Sequence, residues 1–345
     1  MKNFKQWLNA GLCISLVGFG TISCSSSDDN DDDNFVQYDF SKVANTYVNK
    51  TVVATYASMK TNAEKLKDAV IAYQTNPSQE NINKACQEWI ATRSDWEQSE
   101  AYIFGVTEEF DKALDSWPLD KTQLDAIMAD TKPIADIQLT SATGGFHTLE
   151  YLLFRDGQPR SAASFTNVRE REYLVKVTTK LYHDTDGLHA SWSGDRVTKF
   201  LAKPTAAIEQ VIDGIDGIAG EVGPGKIGDP YKSKNVLEVE SWYSWNSLTD
   251  FKDNIRSIEN AYLGGFDSNN RGDNLSTYIK GKDADLDAEV RKTIQDAITA
   301  INKIPEPFRN QLDNPDSADE IEAAIEACNK ISAVFVGKVK PLVVY

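Results

Sequence analysis

Apolar residues recur at helical spacing along nearly all of the chain beyond residue 40, and no stretch shows the strict alternation of a half-buried strand. Val43, Val48, Val52, Val53, Tyr56, Met59, Leu66, Val70 and Tyr73 predict a helix over 41–74, stopped by Asn76-Pro77-Ser78. Ile82, Ala85, Cys86, Trp89, Ile90, Arg93, Trp96 and Tyr102 predict a second over 79–104, ended by Gly105. A turn at 115–120 and a short helix over 122–129 follow, and Lys132-Pro133 breaks the latter. Beyond them the pattern predicts helices over 167–188 and 195–218, a linker at Trp192 to Gly194, and a Gly/Pro-rich loop at 220–230. A helix over 240–265 and two more over 285–304 and 319–340, parted by Pro305 and Pro307, complete the chain. The expectation is an all-α protein of two helical bundles, 35–193 and 194–345, packed together with a cleft at their interface.

One stretch departs from ordinary amphipathicity. Residues 144–154, GGFHTLEYLLF, are apolar on nearly every side, and a helix greasy all round is buried. Thr140 to Thr143 precede it with hydroxyls able to cap it. His147 and Glu150 stand three apart, so their side chains share a face and reach one ion or ligand. Burying both without partners costs several kcal/mol, about 2–7 for a polar group and more for a charge. They are therefore either a satisfied core pair or a metal or ligand site.

The first residues belong to a different regime. Lys2 and Lys5, an apolar run from Leu12 to Ile22, and Thr21-Ile22-Ser23-Cys24 have the layout of a bacterial lipoprotein leader. This predicts a signal peptide over 1–23, lipidation at Cys24, and an acidic Ser/Asp tether over 24–34. The tether resembles the signal that sends lipoproteins to the cell-surface side of the outer membrane, with the periplasmic face as the alternative. Of the net charge of −16, residues before Phe35 account for −3. So acidic a body is unsuited to nucleic acid, which is set aside as a partner. Cys86 and Cys328, the cysteines left after the leader and anchor, sit in apolar helical patterns and suit buried thiols as well as a disulfide. With only three histidines, His147, His183 and His189, any metal is held mainly by oxygen.

Trp89, Arg93, Trp96, Ser99, Glu100, Tyr102, Phe104 and Gly105, then Trp117-Pro118, then Gly145-x-His147-x-x-Glu150, and finally residues 250–264 together resemble the imelysin-like family in the right order. The resemblance implies an all-helical two-bundle fold, an exported or anchored protein, and a site around the His and Glu where the bundles meet. It also implies either iron uptake or metallopeptidase activity, since the family includes proteins classed both ways. A helical zinc peptidase needs His-Glu-x-x-His or His-x-x-Glu-His, and here His147-x-x-Glu150 is followed by Tyr151. One histidine with several carboxylates suits iron better, with zinc or calcium as alternatives. The expected metal ligands are His147, Glu150, Glu100 and Glu259, with Glu150 the base if the protein is a peptidase. Arg93, Asp115 and Asn254 are the expected ligand-binding residues. A receptor for a small anion or sugar, resting on Arg93 and the tryptophans, is the third reading. An outer-membrane uptake partner is expected, though no feature names it.

Overall fold

The computed structural model of the protein describes residues 38–344 except Val106. The expected leader, Cys24 and tether lie outside these residues. The first apolar run folds as Ser41–Thr46, a π-helical stretch Tyr47–Val52 and then Val53–Thr75, burying Tyr56, Met59, Leu66 and Tyr73 completely. Asn76 leaves the helical region, and Ser78 caps the next helix, Gln79–Glu97, by accepting from the Asn81 N–H at 3.2 Å. Val168–Ser191, capped by Asn167, lies against Val53–Thr75 on another side. In the second half Pro204–Gly220, Ser247–Leu263, Ala284–Ile301 and Ala318–Val334 pack against one another. The helix that begins at Ser41 serves both halves. Its first turns lie on Gly194–Leu201 and Pro204–Gly220, while its remainder lies on Gln79–Glu97 and Val168–Ser191.

Four expected elements differ. The helix over 79–104 stops at Glu97 and is followed by a short 3-10 turn, Glu100–Tyr102. The helix over 195–218 is two, because Pro204 has no N–H to continue the first and opens the second. The expected loop at 220–230 is helical instead: Pro204–Gly220 continues as a π-helix, Glu221–Gly228, into Asp229–Ser233. Its glycines serve close packing, since a Cβ on Gly223 would lie 2.8 Å from that of Cys328. The helix over 240–265 begins only at Ser247, and the residues before it form a tight turn with Ser241 and Trp245 at φ 53° and 61°. A two-stranded antiparallel hairpin, Phe154–Arg155 with Gln158–Pro159, breaks the helical pattern. Among the described residues no helix is long and apolar enough to cross a membrane.

Cys86 and Cys328 are free and buried, and burial pushes both thiols up to about 12. Asp95, buried on the Gln79–Glu97 helix, accepts from Asn62 Nδ2 at 2.8 Å, yet burial raises its carboxyl to about 6. The folded protein thus holds this proton more tightly than the unfolded chain. The stabilisation is complete below the ordinary aspartate value and is lost as pH rises through about 6. Asp95→Asn is expected to stabilise the protein at pH 7.5 by about 1–3 kcal/mol and to have little effect below pH 4. Urea denaturation at the two pH values checks this, and equal effects at both would refute it.

Candidate metal centre

The motif helix, Gly145–Leu153, is positioned by backbone contacts that tolerate no side chain at its first residue. Gly145 has φ +69°, and a Cβ there would fall 2.3 Å from the Leu114 carbonyl oxygen. That contact holds the start of the motif helix against the end of Thr107–Leu114, with Asp115 next in the chain. No side chain caps the helix: Thr143 Oγ1 bonds within its own turn, to Thr140. The Trp89 indole donates to the Phe146 carbonyl at 3.1 Å and fixes the helix to Gln79–Glu97. On its other side the Asp156-Gly157 hairpin turn meets the 239–245 turn. Gly157 N–H donates to the Tyr243 carbonyl at 3.0 Å, and a Cβ on Gly157 would strike the Trp245 ring. This clamp presents Glu240 and Ser244 to the motif.

His147 is buried, and both its ring nitrogens face carboxylates. Nδ1 lies 3.3 Å from Glu150 Oε2, while Nε2 lies 3.1 Å from Asp115 Oδ1 and 3.3 Å from Glu240 Oε1. Glu150 is held from its other oxygen by the backbone N–H and hydroxyl of Ser244, each at 2.8 Å. The Trp117 ring stands edge-on to the imidazole, with centroids 4.6 Å apart. Arg93, wholly buried, touches Asp115 and Glu97, reaches Glu240 at 3.0 Å and reaches Asp250 at 3.3 Å. Lys226 lies 2.8 Å from Glu100, 3.1 Å from Glu240 and 3.3 Å from Glu97. Asn254 Nδ2 donates to Glu97 at 2.6 Å and to Glu100 at 2.8 Å. Five buried carboxylates (Glu97, Glu100, Asp115, Glu240 and Asp250) thus share two fixed cations, Arg93 and Lys226, and a sixth, Glu150, meets His147 and Ser244.

Such an excess cannot remain fully ionised in a low dielectric. Burial raises Glu97 and Glu100 well above the usual carboxylate range despite Arg93 and Lys226, and raises Asp250 to about 6. Asp115 and Glu240 behave oppositely. Burial works against ionisation of Asp115, but Arg93 and His147 outweigh it and hold the group below its ordinary value. Glu240 is likewise drawn to about 2 against burial, chiefly by Lys226 and Arg93. Burial pulls the imidazole down, while Asp115, Glu150 and Glu240 push it well above 6.5.

Two groups of side chains bring three possible ligand atoms within 4.8 Å of one another: Asp115, His147 and Glu240, and Glu97, Glu100 and Asp115. The first fits a metal ion better. Its two carboxylates are ionised and converge on one imidazole nitrogen, which has a single position for a proton or a metal and cannot serve both fully. In the second, burial favours the neutral forms of Glu97 and Glu100, which already engage Lys226 and Asn254.

Of the expected residues, His147, Glu150, Asp115, Arg93, Glu100 and Asn254 come together. Glu259 does not: it faces Arg271 at 3.8 Å on the outer side of its helix. Five residues beyond Asn254, it is turned about 140° from Asn254 around the helix axis. Glu150 meets the imidazole nitrogen opposite Asp115 and Glu240, and Glu100 belongs to the Lys226 corner. Arg93 is saturated by carboxylates and has no capacity for an external anion, while Trp89 and Trp96 are core. The sequence reading missed Glu97, Lys226, Glu240 and Asp250 as site residues. Glu97 stands four residues after Arg93, an available ion-pair signal, whereas Lys226 and Glu240 sit in segments whose local structure was misjudged.

A family model described as Peptidase_M75, imelysin, matches residues 52–335. Iron-regulated protein A of Synechococcus elongatus is 29% identical over 313 residues, covering 86% of this chain and 85% of that protein. A crystal structure named as that of an iron-regulated protein A precursor from Parabacteroides distasonis superposes with a TM-score of 0.81 at 34% identity, covering 90% of this chain and 97% of that one. An imelysin-like protein from Psychrobacter arcticum, 12% identical, has the same fold, with a TM-score of 0.68 over 87% of this chain and 94% of its own.

Proposed function

The chain belongs to the imelysin family, and we propose that it binds iron, or an iron complex, at Asp115, His147 and Glu240 for uptake or sequestration. The observation that carries this reading is the convergence of two ionised carboxylates on His147 Nε2 in a nest short of positive charge. Glu150, held by Ser244, is placed to accept the Nδ1 proton. It thereby leaves Nε2 free for the ion, the carboxylate–histidine pairing common around metal-bound imidazoles. A nitrogen and hard oxygens suit iron, and the names of the relatives agree with it. Zinc and calcium are the competing ions. The peptidase reading is not favoured: His147 and Glu150 are 1% and 0% exposed, and Glu150 has both oxygens committed, leaving no base for a water. With Cys24 lipidated, the protein would work from the outer membrane at the cell surface.

The test is elemental analysis of the purified protein and four variants after exposure to ferrous iron, zinc and calcium. About one iron per chain is expected, lost in Asp115→Asn, His147→Ala and Glu240→Gln and retained in Glu259→Gln. Absence of metal from the wild-type protein would end this reading. The anchor is checked alongside, since Cys24→Ala should move the protein out of the membrane fraction.

A further inference from the structure

The ammonium of Lys226 occupies a point with the surroundings of a metal site. Its Nζ lies 2.8 Å from Glu100 Oε2, 3.1 Å from Glu240 Oε2 and 3.3 Å from Glu97 Oε2, so carboxylate oxygens from three elements converge on it. The lysine side chain is 8% exposed, and none of the three carboxylate side chains exceeds 9%. Glu97 and Glu100 belong with Asp115 to the second group of possible metal ligands, and Asp115 is common to that group and the His147 group. Asn254, whose Nδ2 donates to Glu97 and Glu100, has its Oδ1 buried without a hydrogen-bond partner among the described residues. The corner is thus rich in hard oxygen and holds one compact charge.

An ammonium is costly to bury, and the more weakly hydrated guanidinium is the usual choice for a buried ion pair. What lysine offers instead is a compact point charge with three donors, matched here to three oxygens. A divalent ion makes the same demand on the same oxygens at shorter range. The backbone delivers the charge from a fixed place. Lys226 lies in the π-helical Glu221–Gly228, where Val222 and Ile227 are buried and Gly223 is pressed against Cys328. A charge tethered in this way competes with any free ion at a high effective concentration.

We propose that Lys226 is a resident cation filling a second metal position, and that it limits the centre to one ion. Two ions sharing Asp115 would make the pair, about 3.5–4 Å apart, that two-metal hydrolases use, and the ammonium keeps that pair from forming. The inference deepens the iron reading, because it sets the ion count of the same centre, and its test separates the two. Lys226→Met removes the charge and keeps most of the bulk. Loaded anaerobically with ferrous iron, this variant is expected to hold about two ions per chain against about one in the wild type, as a vacated second position of a two-metal site requires. Lys226→Arg and the double variant Lys226→Met/Glu100→Gln should each return the count to about one, the first by restoring charge and the second by removing a ligand. With manganese(II) in place of iron, the electron paramagnetic resonance spectrum of Lys226→Met should be that of an exchange-coupled pair. Manganese should also raise the unfolding midpoint of Lys226→Met by more than that of the wild type, a response that loss of a merely structural ion pair would not give. If Lys226→Met folds only with metal present, the proposal is upheld; if it fails to fold even then, the proposal falls. One iron in both wild type and Lys226→Met would overturn it and leave the iron reading intact. No iron in the wild type and one in Lys226→Met would end the iron reading and uphold this one, and none in either would end both.

Discussion

Gly145→Ala is expected to lose about 3 kcal/mol or more of stability and to lose the proposed metal binding with it. A positive φ costs an L-residue about 1–2 kcal/mol, which is the smaller part. The larger part is overlap: the new Cβ would lie 2.3 Å from the Leu114 carbonyl oxygen and 2.8 Å from its carbon, both backbone atoms that no rotamer change can move. Relief requires the end of Thr107–Leu114 to retreat from the motif helix, which draws Asp115 away from His147. Both losses should therefore appear together, in urea denaturation and in elemental analysis. A variant with wild-type stability and a full complement of metal would show that the first glycine of the motif is dispensable.

Arg93→Met is expected to destabilise the protein at pH 7.5 by about 3–5 kcal/mol, the usual cost of removing one partner from a buried ion network. The guanidinium reaches Asp115, Glu97, Glu240 and Asp250, which come from three separate parts of the chain. Without it Asp115 loses the largest influence holding it ionised, and Glu240 loses one of three, so in the folded variant both take up protons more readily. Their folded values rise above those of the unfolded chain, so ionising them at neutral pH now costs the folded state stability. The deficit relative to wild type should therefore shrink as pH falls from 7.5 to 5. Arg93→Lys should not restore stability, because one ammonium cannot span the oxygens that Nε, Nη1 and Nη2 now reach. Denaturation at both pH values measures this, and a deficit independent of pH would refute the electrostatic account.

Much of this architecture was legible in residue patterns. The helices over 41–75, 79–97, 168–191 and 318–334 follow from apolar spacing, and in the structure Ser78 and Asn167 cap two of them. The errors fell where a residue type has two uses. Glycine and proline at 220–230 indicate a loop by local preference, yet they permit a wide helical turn packed tightly on Cys328. Aromatic and polar residues at 240–246 continue a helical rhythm, yet Ser241 and Trp245 adopt left-handed conformations in a turn. Asp156-Gly157 was a readable hairpin signal, and it anchors that turn.

The sequence by itself determined the helical fold, the buried pair His147 and Glu150, the scarcity of imidazoles and the oxygen-rich character of any metal site, because periodicity and composition are local properties. Only the tertiary structure decided which carboxylates meet His147 Nε2. Asp115 follows one helix, Glu240 lies in a turn 93 residues beyond the histidine, and Lys226 comes from a bulged helix. Their meeting depends on backbone approaches at Gly145, Gly157 and Gly223. Their ionisation depends on how many charges are buried together, and neither quantity is written in the spacing along the chain.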